Sequence, residues 1–405
     1  MTGVPLTIEA TVRVAGAVVD IEPTVSARVG SPVVNRSVIV VGAGVFGASL
    51  ARQCARVGWD VLLVERIAPG HVRSGSGDES RIIRCGHGAD EWHAASARRA
   101  WELWHEIDPE LVVPSGVLWL AHRDDGWEAE SERTLTALGV PCERIDPAAL
   151  FPSFAGEDVL WGLWEPEAGV LRARDATKTL AAQAVQAGAT LAFAEARPDG
   201  AAVVFDDGRR LEADRVVWAC GAWMPALFGD LVDLRITQQD VFYFGASAAW
   251  RTPVVPTWVD YDAAAYGVGD VDGRGVKVCS DREGPAGFDP DGDRGPVPEH
   301  ERRAREILAR HFPALATAPL VGTRVCQYEL TADTRFLIAP HPEHDGRVWL
   351  LGGGSGHGFK HGPALAERVE AWLAGDEPPD PRFALGARVA DRALRTAGSA
   401  ARPGL

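Results

Sequence analysis

Residues 37–41 read Ser-Val-Ile-Val-Val, an unbroken apolar run as long as a buried strand, and the run stops on Gly42-Ala43-Gly44-Val45-Phe46-Gly47. Residues 48–57 then repeat apolar positions at helical spacing, and 61–64 form a second apolar run that ends in Glu65. Strand, glycine turn, helix and strand within about 30 residues predict a βαβ unit with parallel strands. Further along, 176–187 predicts a helix and 190–193 a strand, while 201–205 and 210–212 flank the turn Asp206-Asp207-Gly208 as a hairpin. Residues 215–223 form a buried strand running into a glycine turn, 236–280 carry several short β patterns, and 299–311 is an amphipathic helix. A last strand at 348–351 meets Gly352-Gly-Gly-Ser-Gly-His-Gly-Phe-Lys360 and a helix over 363–373. The ends are weaker. Leu6, Ile8, Ala10, Val12 and Val14 alternate enough for one or two short strands, although a poorly ordered extension over 1–36 is the favoured reading, with a tail over 386–405. The whole predicts an α/β chain with a Rossmann-like domain and a second, β-rich domain.

With 405 residues the chain has room for two or three domains, and its formal net charge of -15, with no basic tract, excludes a nucleic-acid binder. No apolar run approaches the ~20 residues of a membrane span, and the first residues lack a signal pattern, so a soluble cytoplasmic protein is expected. Cys54, Cys85, Cys142, Cys220, Cys279 and Cys326 show no paired spacing; they predict core thiols, with neither disulfides nor a metal site. Lysine occurs only at Lys178, Lys277 and Lys360 in a chain that otherwise uses arginine. Such economy places lysine where a compact ammonium is required.

The first glycine turn carries a dinucleotide fingerprint. Gly42 makes the tight turn, Gly44 admits a pyrophosphate to backbone N–H groups, and Gly47 lets the helix pack on the strand. Glu65 stands where an acid accepts from ribose hydroxyls, a pattern that fits both NAD and FAD. The second glycine loop, with Gly353, Gly354 and Gly356, directs N–H groups and a helix dipole at an electron-rich edge such as a flavin. In Ser74-Gly-Ser-Gly-Asp-Glu-Ser-Arg81-Ile-Ile-Arg84 the two arginines lie three apart, so on a helical turn they share a face that suits a phosphate or carboxylate.

Five places together, GAGVFG with Glu65, SGDESRIIR, GVKV around Lys277, VCQYELTADTRFLI around Cys326, and PHPEHDGRVWLLGGGSGHGFK ending at Lys360, resemble the monomeric sarcosine oxidase and N-methyltryptophan oxidase family within the D-amino-acid-oxidase-like flavoproteins. The resemblance spans about residues 37–385. It implies a glutathione-reductase-type FAD fold, with FAD bonded to Cys326 through the 8α-methyl group. It also implies Arg84 and Lys360 on the substrate carboxylate, Lys277 near flavin N5 assisting dioxygen, Tyr328 and His357 in the pocket wall, and Arg81 beside the flavin. Asp281 stands where sarcosine oxidases carry a histidine four residues after the lysine, Glu79 is inserted ahead of the arginine pair, and the 36-residue extension is unusual, so the resemblance does not imply sarcosine itself as the substrate.

The resulting expectation is an FAD-dependent oxidase of the C–N bond of a secondary or cyclic amino acid, using dioxygen and releasing hydrogen peroxide, as a monomer or small homo-oligomer. The FAD domain is expected over 37–115, 172–235 and 332–385, and the substrate domain over 116–171 and 236–331. Two other readings stay open: a flavin-dependent tailoring enzyme acting on a cyclic imino acid or modified amine, and an NAD-dependent dehydrogenase using the same Gly42 turn.

Overall fold

The computed structural model describes residues 36–388 except 283 and 286, together with the strands Ala10–Val14 and Ala17–Ile21. Those two strands pair antiparallel, the two-strand alternative for the N-terminal region. Leu6 and Ile8 lie outside the described residues, as do residues 389–405.

The apolar runs become the centre of a six-stranded sheet in the order Thr190–Phe193, Asp60–Glu65, Ser37–Val41, Arg215–Trp218, Val348–Gly352, Leu337–Pro340. All neighbours are parallel except the last pair. Such strands are covered on both faces, which is why they read as continuous rather than alternating hydrophobic segments. One face packs against the helices Val45–Arg56, Ala173–Gln186 and Gly362–Ala374, with Val38, Val40, Leu63 and Leu351 in the shared core. The other carries Ile39, Val41, Val64 and Trp218 under the small antiparallel sheet around Ala202–Phe205.

A second sheet of eight strands runs from Leu320–Leu330 and Arg235–Phe244 at one end to Glu143–Ile145 at the other. It is antiparallel except where Thr257–Asp260 joins Val117–Ala121. The helix Pro298–His311 backs it through Ala304, Ile307 and Leu308, against Phe242, Phe244 and Val278. The helix Val45–Arg56 begins earlier than its apolar repeat suggests because its first N–H is held by a distant side chain, Ser76 Oγ at 3.0 Å from Val45 N.

One local reading is overturned. Arg81 lies in a strand, Ser80–Ile83, paired antiparallel with Gly169–Arg172, and Arg84 follows directly. The expected helical turn is therefore absent, and the two guanidinium groups reach the wall of one small cavity from an extended segment and the residue after it.

Candidate active site

A 320 Å³ cavity opens at the C-terminal ends of the parallel strands, lined by Gly42, Gly44, Val45, Glu65, Gly354, Gly356, Arg81, Tyr328 and Glu329 among others. In an open α/β sheet this is where ligands bind. Gly42 has φ +101, and a Cβ there would come within 2.5 Å of Ala219 O. A Cβ on Gly47 would lie 1.9 Å from Gly42 O. Gly44 is the N-cap residue and Ser76 Oγ takes the first helix N–H, from Val45; no acid stands in the first turn, so the positive end of the helix dipole faces the cavity. Glu65 Oε2 accepts from Ala43 N at 2.8 Å and fixes the turn from the ribose end. These residues fit an extended dinucleotide, offering a helix N-terminus free of acids to a phosphate, an acid to ribose hydroxyls, and room beside Tyr328, Arg81 and the second glycine loop to a ring system. Gly353 sits behind that loop, where a Cβ would come within 2.9 Å of Leu337 N.

A smaller cavity of 70 Å³ adjoins the first and shares Arg81, Gly356 and Phe359 with it. Arg84, Lys360, His357, Trp119, Asp260 and Asp281 are among its other lining residues. Arg84 lies over the Trp119 ring, 4.6 Å from its centroid, and donates to Gly86 O. Lys360 Nζ donates to His357 O at 2.8 Å. Both cations are buried, and neither has an ion-pair partner among the described residues. Burial pushes Arg84 down to about 10 against the opposing pull of Glu165, and it drives Lys360 well below the ordinary lysine value, helped by the Arg84 charge. Glu165 itself is occupied by Cys85 N, Gly86 N and Trp119 Nε1. Two desolvated cations at the end of a pocket call for an anion.

Lys277 lies elsewhere. Its Nζ donates to Asp78 Oδ2 at 2.6 Å and to Ser80 O at 2.9 Å, and it lines neither cavity. Asp78 also takes Arg81 Nη1 at 2.5 Å and Tyr243 OH at 2.8 Å, and the two cations hold its carboxyl far below the usual range against the effect of burial. The structure therefore joins Arg84 and Lys360, brings Arg81 to both cavities, and puts Lys277 behind Arg81 through a shared carboxylate.

Cys326, in the strand Leu320–Leu330, is buried with Sγ 3.2 Å from Arg81 Nη2. Tyr328 OH donates to Asp281 Oδ1 at 3.2 Å, and burial raises its phenol well above the ordinary value. His357 Nε2 donates to Thr334 O at 2.7 Å, and burial holds the ring neutral. Sequence reasoning assigned no role to Asp78, Glu165 or Glu329. Glu329 Oε1 accepts from Gly354 N at 3.2 Å inside the larger cavity, and burial pushes its carboxyl up to about 7. Glu165 and Glu329 find their partners in remote segments, and Asp78 meets Lys277 and Tyr243 from remote strands although Arg81 is only three residues on.

Residues 37–372 match the family model described as FAD dependent oxidoreductase. The chain is 30% identical over 356 residues to a monomeric sarcosine oxidase of Streptomyces avermitilis, covering 82% of this chain and 92% of that one. It is 27% identical to an N-methyl-L-tryptophan oxidase of Yersinia pestis, covering 84% and 95%. Its fold is similar to that of an L-proline dehydrogenase from P. horikoshii, with TM-score 0.74 at 22% identity over 86% and 95% of the two chains. It is also similar to that of the Aspergillus fumigatus amadoriase I, with TM-score 0.72 at 21% identity over 89% and 91%. The NAD reading of the Gly42 turn is thereby set aside, and the chain belongs to the DAO family of FAD-dependent oxidoreductases.

Proposed function

We propose that this enzyme oxidises the C–N bond of a secondary or cyclic amino acid to an imine, with dioxygen as final acceptor and hydrogen peroxide as product. The observation that carries this reading is the pair of buried cations Arg84 and Lys360, without an ion-pair partner among the described residues, in the wall of a pocket that adjoins the larger cavity. The sarcosine and N-methyltryptophan oxidases to which the chain is similar act on substrates that join an amine to a carboxylate.

FAD, when bound, supplies the two-electron acceptor. Gly42, Gly44, Gly47, Glu65 and the loop of Gly353, Gly354 and Gly356 hold it in our reading, with Arg81 beside it and Cys326 as the point of covalent attachment. Arg84 and Lys360 grip the substrate carboxylate and so orient the amine-bearing carbon toward the larger cavity. His357 and Asp281 stand in the wall of the carboxylate pocket, Tyr328 lines the larger cavity beside it, and Asp281, bonded to Tyr328, offers a polar contact to a substituent on the amine. The unit over 37–115, 172–235 and 332–385 is taken as the FAD-binding domain, and 116–171 with 236–331 as the substrate domain. No helix among the described residues is long and apolar enough to cross a membrane, and the free cysteines suit our assignment to the cytoplasm. We take the enzyme to be a monomer or small homo-oligomer.

Acid-precipitated protein is expected to keep its yellow colour in the pellet, and Cys326→Ser to release it to the supernatant. Peroxide is expected from N-alkyl or cyclic amino acids and at least a hundredfold less from the matching amines without a carboxylate. Equal rates on both series would remove the carboxylate clamp.

The clamp also has a pH signature. A bound carboxylate favours the charged form of Lys360, so the complex takes up a proton wherever the free lysine is neutral. Affinity for an unreactive carboxylate inhibitor is therefore expected to fall as pH rises through the lowered pKa, by up to about tenfold per pH unit. Lys360→Met should weaken binding and flatten that slope, as measured by calorimetric titration between pH 6 and 9, a range of about three units around neutrality. A slope unchanged in the variant would assign the proton to another group.

A further inference from the structure

Behind the carboxylate pocket four buried histidines pack against one another. Ring centroids separate His87 from His361 by 5.4 Å, His87 from His357 by 5.8 Å, and His357 from His361 by 6.0 Å. His93 stands 5.4 Å from His357 and 5.6 Å from His87. One ring nitrogen from each of His87, His357 and His361 lies within 4.8 Å of the other two.

The hydrogen bonds around the cluster fix where the protons are. His87 Nδ1 lies 2.9 Å from Cys85 O, and His357 Nε2 lies 2.7 Å from Thr334 O. A carbonyl only accepts, so these nitrogens carry the hydrogen, and His87 Nε2 and His357 Nδ1 are left as lone pairs. His93 Nδ1 faces Asp90 Oδ1 at 3.0 Å, which leaves Nε2 likewise. His361 Nδ1 meets Ser96 Oγ at 3.0 Å, and that hydroxyl can accept its hydrogen. The outward nitrogens His87 Nε2, His93 Nε2, His357 Nδ1 and His361 Nε2 are all buried without any hydrogen-bond partner. A buried acceptor without a donor keeps its desolvation cost uncompensated. Several in one place form a donor set awaiting an electrophile.

We propose that His87, His357 and His361 form a binding site for one divalent transition-metal ion of the zinc type. Neutral imidazoles whose far nitrogen donates to a carbonyl or hydroxyl are the ligands such ions select. A tetrahedral ion with metal–nitrogen bonds of about 2.0–2.1 Å holds its donors about 3.4 Å apart, so the triad closes by at most roughly 1.4 Å on loading. His93, oriented by Asp90, stands beside the fourth position. Two acids balance the added charge: Glu165, bonded to the Cys85–Gly86 backbone, and Asp90. The site has a structural consequence for the pocket. His87 lies three residues after Arg84, and His361 adjoins Lys360, so the ion ties together the two segments that present the carboxylate clamp.

The test uses the flavin-loaded enzyme, washed with a chelator, dialysed and titrated with Zn²⁺ alone, with bound metal counted by elemental analysis. One ion per chain at submicromolar affinity is expected. His87→Phe and His361→Phe should each weaken binding at least a hundredfold, while the flavin absorbance reports that the fold is intact. His341→Asn, which alters a surface histidine stacked on His344, should leave binding unchanged. Absence of stoichiometric Zn²⁺ binding in the wild-type enzyme overturns the proposal without reference to any variant. Loss of binding in His341→Asn with retention in His361→Phe overturns it equally, by placing the ion on the surface.

Discussion

Gly47→Ala is expected to yield a protein that retains less than about a tenth of the wild-type FAD. The added Cβ would stand 1.9 Å from Gly42 O, 3.1 Å from Gly42 C and 3.2 Å from the Ala219 side chain. The first two are backbone atoms of the turn that defines the cavity, and no rotamer change relieves them. Relief requires the helix Val45–Arg56 to move off the strand Ser37–Val41, which displaces the helix N-terminus from the phosphate that our reading places there. Overpacking of this kind costs about 1–3 kcal/mol even where side chains can yield, and the upper figure is a hundredfold in an equilibrium constant. Gly58→Ala is the control. Gly58 also has a positive φ, +93, but nothing lies within 4 Å of its Cβ position, so only a local strain of about 1 kcal/mol is added away from the cavity. The flavin-to-protein absorbance ratio of the two variants decides the matter. Full flavin in Gly47→Ala would mean that the turn does not set the approach of the helix.

That result bears on what the sequence could reveal. Gly42, Gly47 and Glu65 are legible because their task is local: turn, close packing and strand-end acid all fall within one βαβ unit. The helical turn expected for Arg81 and Arg84 fails for the same reason in reverse. Spacing alone cannot say whether residues three apart sit on a helix or on extended chain; pairing with Gly169–Arg172 makes this segment a strand, and the tertiary fold still brings both arginines to one cavity. The early start of the helix at Val45 depends on Ser76, and the histidine cluster depends on segments from opposite ends of the fold. The place of Lys277 is the largest gap. Its scarcity marked it as important, but its partner Asp78 lies 199 residues away, so no periodicity could show that the ammonium is committed to a carboxylate.

Removing that carboxylate should be the most destabilising change of a single charge in the protein. In Asp78→Ala, Lys277 Nζ keeps the Ser80 O bond, a long contact to Ser80 Oγ and the Tyr266 ring at 5.9 Å, but no counter-charge among the described residues, while its side chain is 1% exposed. Leaving one member of a buried ion pair uncompensated costs about 3–5 kcal/mol. Lys277→Met should cost less, because Asp78 retains Arg81 and Tyr243 and the new side chain is apolar. The two variants differ again in chemistry. Arg81, Asp78 and Lys277 together carry one net positive charge, and Arg81 presents it to both cavities. Lys277→Met reduces that sum to zero and should slow the reaction of the reduced enzyme with dioxygen by about a hundredfold, the scale of losing one electrostatic stabiliser. Its effect on anaerobic reduction by substrate should be much smaller. Asp78→Ala raises the net charge, so its oxygen reaction should not slow even as its melting temperature falls. Rapid-mixing kinetics of the two half-reactions, set beside thermal melts, separate these outcomes. Equal slowing of both half-reactions in Lys277→Met would confine the lysine to holding Asp78 in place.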